Sequence, residues 1–160
     1  RISIMAQLSW GKPKIEFGKL GADGAAPTKW DKLEYDPVEN STKLTTSKGE
    51  KKEAKVEGGE NEAVKYSRNT YAFEFEIRAA KGRSKPIEDE DGVVKEEYAV
   101  RLTPEDSSVE GILIDRATVS VEDTFDTSEG KKWKYTFDAL KPATGNQVKP
   151  YTANAPAPEG

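Results

Sequence analysis

The strongest constraint on the fold is a strictly alternating stretch in the middle of the chain, residues 70–78. Apolar side chains occupy its odd positions, which are Tyr71, Phe73, Phe75 and Ile77. Successive side chains of a β-strand point to opposite faces, so this pattern predicts a strand with one buried and one wet face. Burial of each apolar side chain would contribute roughly 2 kcal/mol, whereas a slip of one residue would bury charged side chains instead. We therefore predict that this strand is the spine of an all-β domain.

The composition is that of a globular chain with a thin core. Hydrophobic and charged residues each make up 34% of its 160 residues, and three Trp, six Tyr and five Phe argue against disorder. We expect one domain over residues 6–141. Residues 1–5 are predicted to be an N-terminal extension, because Met5-Ala6 looks like a translation start. Residues 142–160 are rich in Pro, Ala, Gly and Asn, which predicts an extended or flexible C-terminal arm.

The net charge and the absence of Cys and His disfavour several classes of function. The net charge is -4, which disfavours wrapping of nucleic acid through phosphate contacts. The chain has no Cys and no His, so it lacks thiolate ligands and the commonest general base. No run approaches the roughly 18 apolar residues needed to cross a bilayer, and the start of the chain lacks the apolar core of a secretion signal. We predict that the protein is not an enzyme and has no membrane partner.

Short alternating segments predict about nine strands, and hence a β-sandwich or barrel. Besides residues 70–78, they are 13–20, 29–35, 43–47, 51–57, 94–102, 112–114, 117–121 and 133–139. At most one short flanking helix is expected. Residues 60–67 are compatible with a short helix or with an extended lead into the next strand. Residues 104–110 begin with proline and acids, which favours at most one helical turn.

Residues 38–57 are predicted to form a projecting hairpin, with 43–47 pairing with 51–57 across a turn at 47–50. Only Leu44, Ala54 and Val56 are apolar in the two strands. A hairpin that is polar on both faces has no place in the core of a monomer. It is either a mobile surface hairpin or an arm that becomes ordered against a neighbouring subunit.

Three groups of residues have the composition of candidate sites. The acidic run 88–91 has the ligand type that Ca²⁺ prefers, but adjacent carboxylates of an extended chain diverge, which favours a solvated turn. Glu74 and Glu76 lie about 7 Å apart on one strand face, a separation that glycosidase pairs can have. Two acids on a wet face are more often merely solvated. The pair Gly58-Gly59 lacks a following Lys-Ser and is best explained as a turn.

Two further groups have structural explanations as well. Lysines 131, 132 and 134 are better explained as a solvated edge than as a nucleic-acid patch. Six aromatic residues are candidates for a sugar-stacking platform, although Trp133 and Tyr135 share the apolar face of Phe137 and so are predicted to be core. The six are Trp10, Trp30, Trp133, Tyr35, Tyr98 and Tyr135. We therefore assign no catalytic, cofactor-binding or metal-ligating residue.

The order of these features is similar to that of a known family. The segments that carry the resemblance are 56–60 (VEGGE), 70–77 (TYAFEFEI), 100–106 (VRLTPED), 111–120 (GILIDRATVS) and 133–142 (WKYTFDALKP). Together they resemble the major tail tube proteins of tailed phages, especially small ones from phages and prophages of Bacteroides-like bacteria. The resemblance spans roughly residues 6 to 152 and lies in the overall pattern.

The resemblance implies a structural subunit made in the cytoplasm of a bacterial host and located in the virion tail. Such proteins form stacked hexameric rings around a lumen through which DNA passes without specific binding, and they contact other tail proteins. By the same resemblance, the projecting hairpin at 38–57, an early arm at 1–12 and the C-terminal arm at 142–160 tie one ring to the next. The alternative is an immunoglobulin-like adhesive or carbohydrate-binding module.

Overall fold

Alternating apolar and polar residues form strands throughout the computed structural model, which describes residues 8–152. This part of the chain contains ten β-strands, one 3-10 turn at Ala22–Gly24 and no α-helix, so the predicted all-β fold is confirmed. The strands are β1 (Lys14–Lys19), β2 (Asp31–Lys32), β3 (Lys43–Ser47), β4 (Lys51–Lys55), β5 (Asn61–Tyr66), β6 (Thr70–Arg78), β7 (Val93–Thr103), β8 (Gly111–Asp126), β9 (Gly130–Ala139) and β10 (Lys149–Tyr151).

Eight strands form one antiparallel sheet in the order β2-β1-β7-β8-β9-β6-β3, with β10 also paired to β8. The prediction that residues 70–78 form the spine is wrong, because β6 lies second from one edge. The central strand is β8. Its 16 residues are long enough to pair with β7, β9 and β10 at once, so both halves of the sheet depend on it.

One face of the sheet is buried, and its centre is a group of aromatic rings from β6 and β9. The ring centroid of Phe75 lies 5.5 Å from that of Tyr135 and 5.9 Å from that of Phe137, both in stacked arrangements. The Tyr135 hydroxyl donates a hydrogen bond of 3.1 Å to the carbonyl of Ile87, and burial raises the pKa of Tyr135. Apolar side chains of β1, β7 and β8 complete the core: Ile15, Phe17, Val100, Ile114, Ala117, Val119 and Val121.

Two irregular segments cover this buried face. The first runs from one edge of the sheet to the other, since Leu33 N–H donates to β1 and Val38 N–H donates to β6. Leu33 and Tyr35 join the core as the segment crosses. This explains why the strand predicted at 29–35 is only Asp31–Lys32: the chain leaves the ladder to cover the core. The second covering segment contains Ile87, which is 3% exposed.

The strands predicted at 112–114 and 117–121 are one continuous strand with a bulge. Tyr98 of β7 lies opposite Ala117, and Val100 lies opposite Ile114, so β8 has one extra residue between these two pairs. The extra residue moves the buried side chains of β8 from even to odd positions. The apparent break in the sequence pattern is therefore a change of phase within one strand.

The polar region before β6 is paired differently from the prediction. Residues 43–47 do not pair with 51–57; β3 pairs with β6, and β4 pairs with β5. Leu44 explains this choice, because it lies opposite Phe73 and packs against the core. The helix considered at 60–67 is wrong, since β5 occupies it. No helix forms at 104–110, where Asp106 instead accepts hydrogen bonds from Ser108 within a turn.

The predicted C-terminal arm, residues 142–160, is in part tied to its own chain. β10 pairs with the start of β8, and the Lys149 ammonium forms an ion pair with Asp115. Residues 153–160 of the predicted arm lie outside the described residues. So do residues 1–7, which include the predicted extension 1–5 and most of the predicted early arm 1–12. In the rest of that early arm, Trp10 is 77% exposed.

Candidate assembly surfaces

The β4–β5 hairpin, residues 51–66, lies outside the packed core of residues 8–152. Every one of its residues is exposed, and none belongs to the core cluster. Its tip turns at Gly58 and Gly59, whose φ values of 99° and 87° confirm the predicted turn at this pair. A two-stranded hairpin on its own is only marginally stable in water. The hairpin therefore presents two strands whose side chains lack a packing layer within the described part of the chain.

The hairpin is joined to the main sheet without a flexible linker. Beyond the last β3–β6 pair, the Gly49 N–H donates 3.0 Å to Asn69 Oδ1, and the Ser67 N–H donates 2.8 Å to the Glu50 carbonyl. A Cβ at position 49 would lie 1.9 Å from the Ser67 carbonyl oxygen, so only glycine permits this close approach. The β3–β6 ladder thus leads directly into the hairpin, which extends from one end of the sheet.

One face of the hairpin is internally paired. Lys51 and Lys55 both approach the Glu53 carboxylate, at 2.8 and 3.7 Å, and the Lys51 ammonium lies 5.9 Å from the centroid of the Tyr66 ring. Exposed pairs of this kind contribute little to stability. They nevertheless give both lysines of this face a carboxylate partner.

The opposite face of the hairpin is not matched. Lys52 lies directly across from Lys65, and the next pair along is Ala54 with Ala63. Neither lysine has an ion-pair partner among residues 8–152. Like charges directly opposite each other destabilise a ladder, whereas the two alanines leave room for a close approach. This face carries an uncompensated positive charge on a small-residue surface.

The wet face of the main sheet is organised around Arg101, whose role the sequence pattern does not predict. Its guanidinium forms two hydrogen bonds with the Glu16 carboxylate, at 3.0 and 3.2 Å. It also lies 4.2 Å from the centroid of the Trp30 ring and 5.2 Å from that of Tyr151. The cluster therefore joins β1, β7 and β10 to the segment before β2. The opposite charges of two outward-facing residues were visible in the sequence, but their register was not.

The acids of this face are held in their charged form. Burial alone would raise the pKa of Glu16, but the hydrogen bonds and charge of Arg101 outweigh it and lower that pKa. The pKa of Glu97 is lowered by hydrogen bonds from Arg116. The wet face thus carries matched ion pairs at Glu16–Arg101 and Glu97–Arg116.

The carboxylates of Glu74 and Glu76 are likewise engaged in ion pairs on the wet face. Lys43 and Lys134 approach Glu74 at 3.0 and 3.4 Å, and Lys132 approaches Glu76 at 3.7 Å. A hydrogen bond from Lys43 lowers the pKa of Glu74, which is opposite to the shift a general acid requires. These acids are charge partners on the wet sheet face, with side chains only 14% and 28% exposed, and not freely solvated groups.

The acidic run 88–91 forms a tight turn. Glu90 and Val93 exchange backbone hydrogen bonds of 2.9 and 3.0 Å, with positive φ at Asp91 and Gly92 between them. Asp89 accepts a hydrogen bond from the Gly92 N–H and pairs with Lys85, whose hydrogen bond lowers the Asp89 pKa. Within residues 8–152, no cluster of three acids that could hold a metal ion occurs.

The six aromatic residues do not form one platform. Trp133 and Tyr135 are buried core residues, as predicted, and Tyr98 packs at the edge of the core. Trp30 faces Arg101 on the wet sheet face, whereas Tyr35 contacts Arg83 near the covering segments. The residues considered for sugar stacking are therefore distributed over different surfaces.

The lysines at 131, 132 and 134 do not lie on an edge, because β9 is flanked by β6 and β8. Lys132 pairs with Glu129 and Glu76, and Lys134 pairs with Glu74. The solvated-edge interpretation is thus wrong about position. The reason is that β9 has neighbours on both sides. The charges of Lys132 and Lys134 are matched by acids on β6 and in the adjacent turn.

These matched acids predict acid sensitivity. Since the folded pKa values of Glu16, Glu74, Glu97 and Asp89 are lowered, their contribution to stability is present above the ordinary values of 4.5 and 3.8 and is lost as pH falls through the lower folded values. We expect the urea midpoint to be constant between about pH 6 and 8 and to fall steadily below about pH 4.5. The variant Glu16→Gln should start lower at neutral pH and fall less. A midpoint unchanged down to about pH 3 would contradict this account.

The surfaces described above are the features of the molecule that bear on its function. In residues 8–152, no helix has the length and apolarity to span a membrane. Comparison with protein-family models gave no match, and comparison with curated proteins gave no significant match.

Proposed function

We propose that this protein is a structural subunit of a phage tail tube, located in the virion and made in the cytoplasm of the bacterial host. Copies assemble as hexameric rings that stack around a lumen, and other tail proteins contact the ends of the tube. The observation that carries the proposal is the β4–β5 hairpin, residues 51–66, which is fully exposed on both faces yet continuous with the main sheet. An exposed two-stranded ribbon gains stability when it packs against or pairs with another copy.

The wet face of the sheet supports the same function. Several of its arginines and lysines are engaged with acids, as in the pairs Glu16–Arg101 and Glu97–Arg116. A net charge of -4 adds a general repulsion of phosphate. A wall with matched charges lets DNA pass without specific binding, because cations that are already paired with acids release few counterions from the duplex.

The alternative of a carbohydrate-binding or adhesive module gains no specific support. Sugar-binding surfaces need exposed aromatic faces next to each other, and here Trp133 and Tyr135 are buried whereas Trp30 is covered by Arg101. Catalysis is not part of the proposal, and neither is any cofactor or metal.

The proposal is tested by replacing residues 51–66 with the turn Asn-Gly. Glu50 and Ser67 are already joined by a backbone hydrogen bond, so a two-residue turn closes the shortened ribbon. We expect the purified full-length chain to form rings or tubes in negative-stain electron microscopy. The shortened variant should remain folded and should lose stacking.

Circular dichroism and urea denaturation provide the control, because the hairpin contributes nothing to the core and the shortened variant should melt like the parent. A full-length chain that stays monomeric at every concentration would contradict the proposal. Glycan binding by such a monomer would favour the alternative module.

A further inference from the structure

The dipeptide Asp-Gly occurs twice in the chain, at Asp23-Gly24 and at Asp91-Gly92. In such a pair the backbone nitrogen of the glycine can attack the side-chain carboxyl carbon of the aspartate, and the missing Cβ of glycine leaves that nitrogen unhindered. A C–N bond forms while the carboxyl OH leaves with the amide proton as water, which gives a cyclic succinimide. Water then opens the ring at one of its two carbonyls and yields either aspartate or isoaspartate.

The side chains of the two aspartates have similar surroundings. Asp23 and Asp91 are both exposed and both have a positive φ, at 58° and 51°. Neither carboxylate has a hydrogen bond or an ion pair within residues 8–152. The reactivity of each pair therefore depends on how firmly the fold holds the glycine nitrogen.

The glycine nitrogen of the second pair is held firmly. The Gly92 N–H donates 2.7 Å to Asp89 Oδ2, a carboxylate that the Lys85 ammonium also binds at 2.8 Å. Hydrogen bonds to a charged acceptor are stronger than those between neutral groups. On its other side, Gly92 accepts a 3.1 Å hydrogen bond from the Val121 N–H. The backbone rotation that closes the ring would break these bonds, so the folded structure protects Asp91.

The glycine nitrogen of the first pair is held weakly. The Gly24 N–H donates to the Gly21 carbonyl at 3.3 Å, which is longer than the common length of about 2.9–3.0 Å. Residues 21–26 are all exposed, and a Cβ built at position 24 would have no atom within 4 Å. Exposed backbone with few contacts opens at low cost in free energy. Rotation about Asp23 therefore meets little resistance from the rest of the chain.

We propose that Asp23 is a site of spontaneous isomerisation to isoaspartate in the folded protein, and that the fold spares Asp91. The product has one additional methylene in its main chain and a free α-carboxylate. That carboxylate is the group to which isoaspartyl methyltransferases transfer a methyl from S-adenosylmethionine, so the turn becomes a methyl acceptor. Because the turn lies outside the core cluster, the modified chain should stay folded. Neither step depends on assembly of the protein.

The test compares the two aspartates within one folded chain during prolonged incubation at 37 °C. Trypsin then releases them on separate peptides, residues 20–29 and 84–95. Chromatography separates each isoaspartyl peptide from its parent of equal mass, and labelling by an isoaspartyl methyltransferase identifies it. We expect isoaspartate to accumulate at least about tenfold faster at Asp23 than at Asp91, because a strong hydrogen bond must open only at the latter. In urea the two rates should become similar, since neither glycine nitrogen is then held.

Two variants extend the comparison. D23E would have to close a larger ring, which forms far more slowly, so it should abolish modification of peptide 20–29 and leave peptide 84–95 unchanged. D89A removes the acceptor of the Gly92 N–H and should raise the rate at Asp91 toward its value in urea. Equal rates at the two aspartates in the folded parent would overturn the proposal, and so would isomerisation of Asp23 in urea alone. Both of these outcomes are measured on the parent chain and so do not depend on the folding of a variant.

Discussion

Replacing Phe75 with alanine should lower the free energy of unfolding by about 3–5 kcal/mol. Phe75 is 1% exposed, and its ring stacks on Tyr135 and Phe137 and meets Phe73 edge to face. The truncation removes the ring contacts and leaves a cavity that three neighbouring rings cannot fill without leaving their rotamers. Because domains of this size have only about 5–15 kcal/mol of stability, the variant should be partly unfolded at 37 °C.

Urea denaturation followed by tryptophan fluorescence measures the effect, since Trp133 lies in the same core. The matched control is Phe125→Ala, at a phenylalanine that is 72% exposed near the β8–β9 turn. This change should alter stability by no more than about 0.5 kcal/mol. Equal losses in the two variants would show that the buried β6–β9 rings are not the stabilising core.

Replacing Arg101 with alanine should cost about 2–3 kcal/mol, the second largest effect we expect. The Glu16 carboxylate, with a side chain only 12% exposed, would lose both hydrogen bonds and its charge partner. Trp30 and Tyr151 would also lose the guanidinium that lies against their rings. β10 would then be held less firmly, so faster amide exchange at residues 149–151 should accompany the loss of stability.

The control for this change is Arg116→Ala. Its pair with Glu97 has similar geometry, but the two side chains are 44% and 32% exposed, so the expected cost is about 0–1 kcal/mol. The double variant E16Q/R101M should recover part of the loss, because it removes the unpaired charge as well as its partner. A cost at Arg101 no larger than that at Arg116 would mean that the cluster is merely solvated surface.

The local sequence pattern was sufficient to predict individual strands. The alternation in β1, β6 and β9 was predicted with nearly the observed bounds, since side-chain direction in a strand is a property of neighbouring residues. The turns at Gly58-Gly59 and at 88–92 were likewise predicted from short-range chemistry. The tail tube function remains a proposal that rests on resemblance and on the exposed surfaces.

The pairing of strands with one another was not predicted from the sequence. Residues 43–47 and 51–57 are polar on both faces, so no hydrophobic pattern specified which strand each would join. The core decided it, because Leu44 gains burial only when β3 lies beside β6. The phase change in β8 and the short pairing of β10 were missed for the same reason: each depends on a partner far away in the sequence.

Some features of the candidate surfaces were likewise predictable from the local sequence, and others depended on the tertiary structure. The polarity of the hairpin region and the acidity of residues 88–91 were evident from the residues themselves. That Lys52 faces Lys65, and that Arg101 lies between two aromatic rings on Glu16, depends on cross-strand register. By itself, the sequence determined which residues extend and which of their faces is apolar, because those are local properties. Only the tertiary structure decided which strands become neighbours, since that choice minimises exposed apolar area over the whole chain.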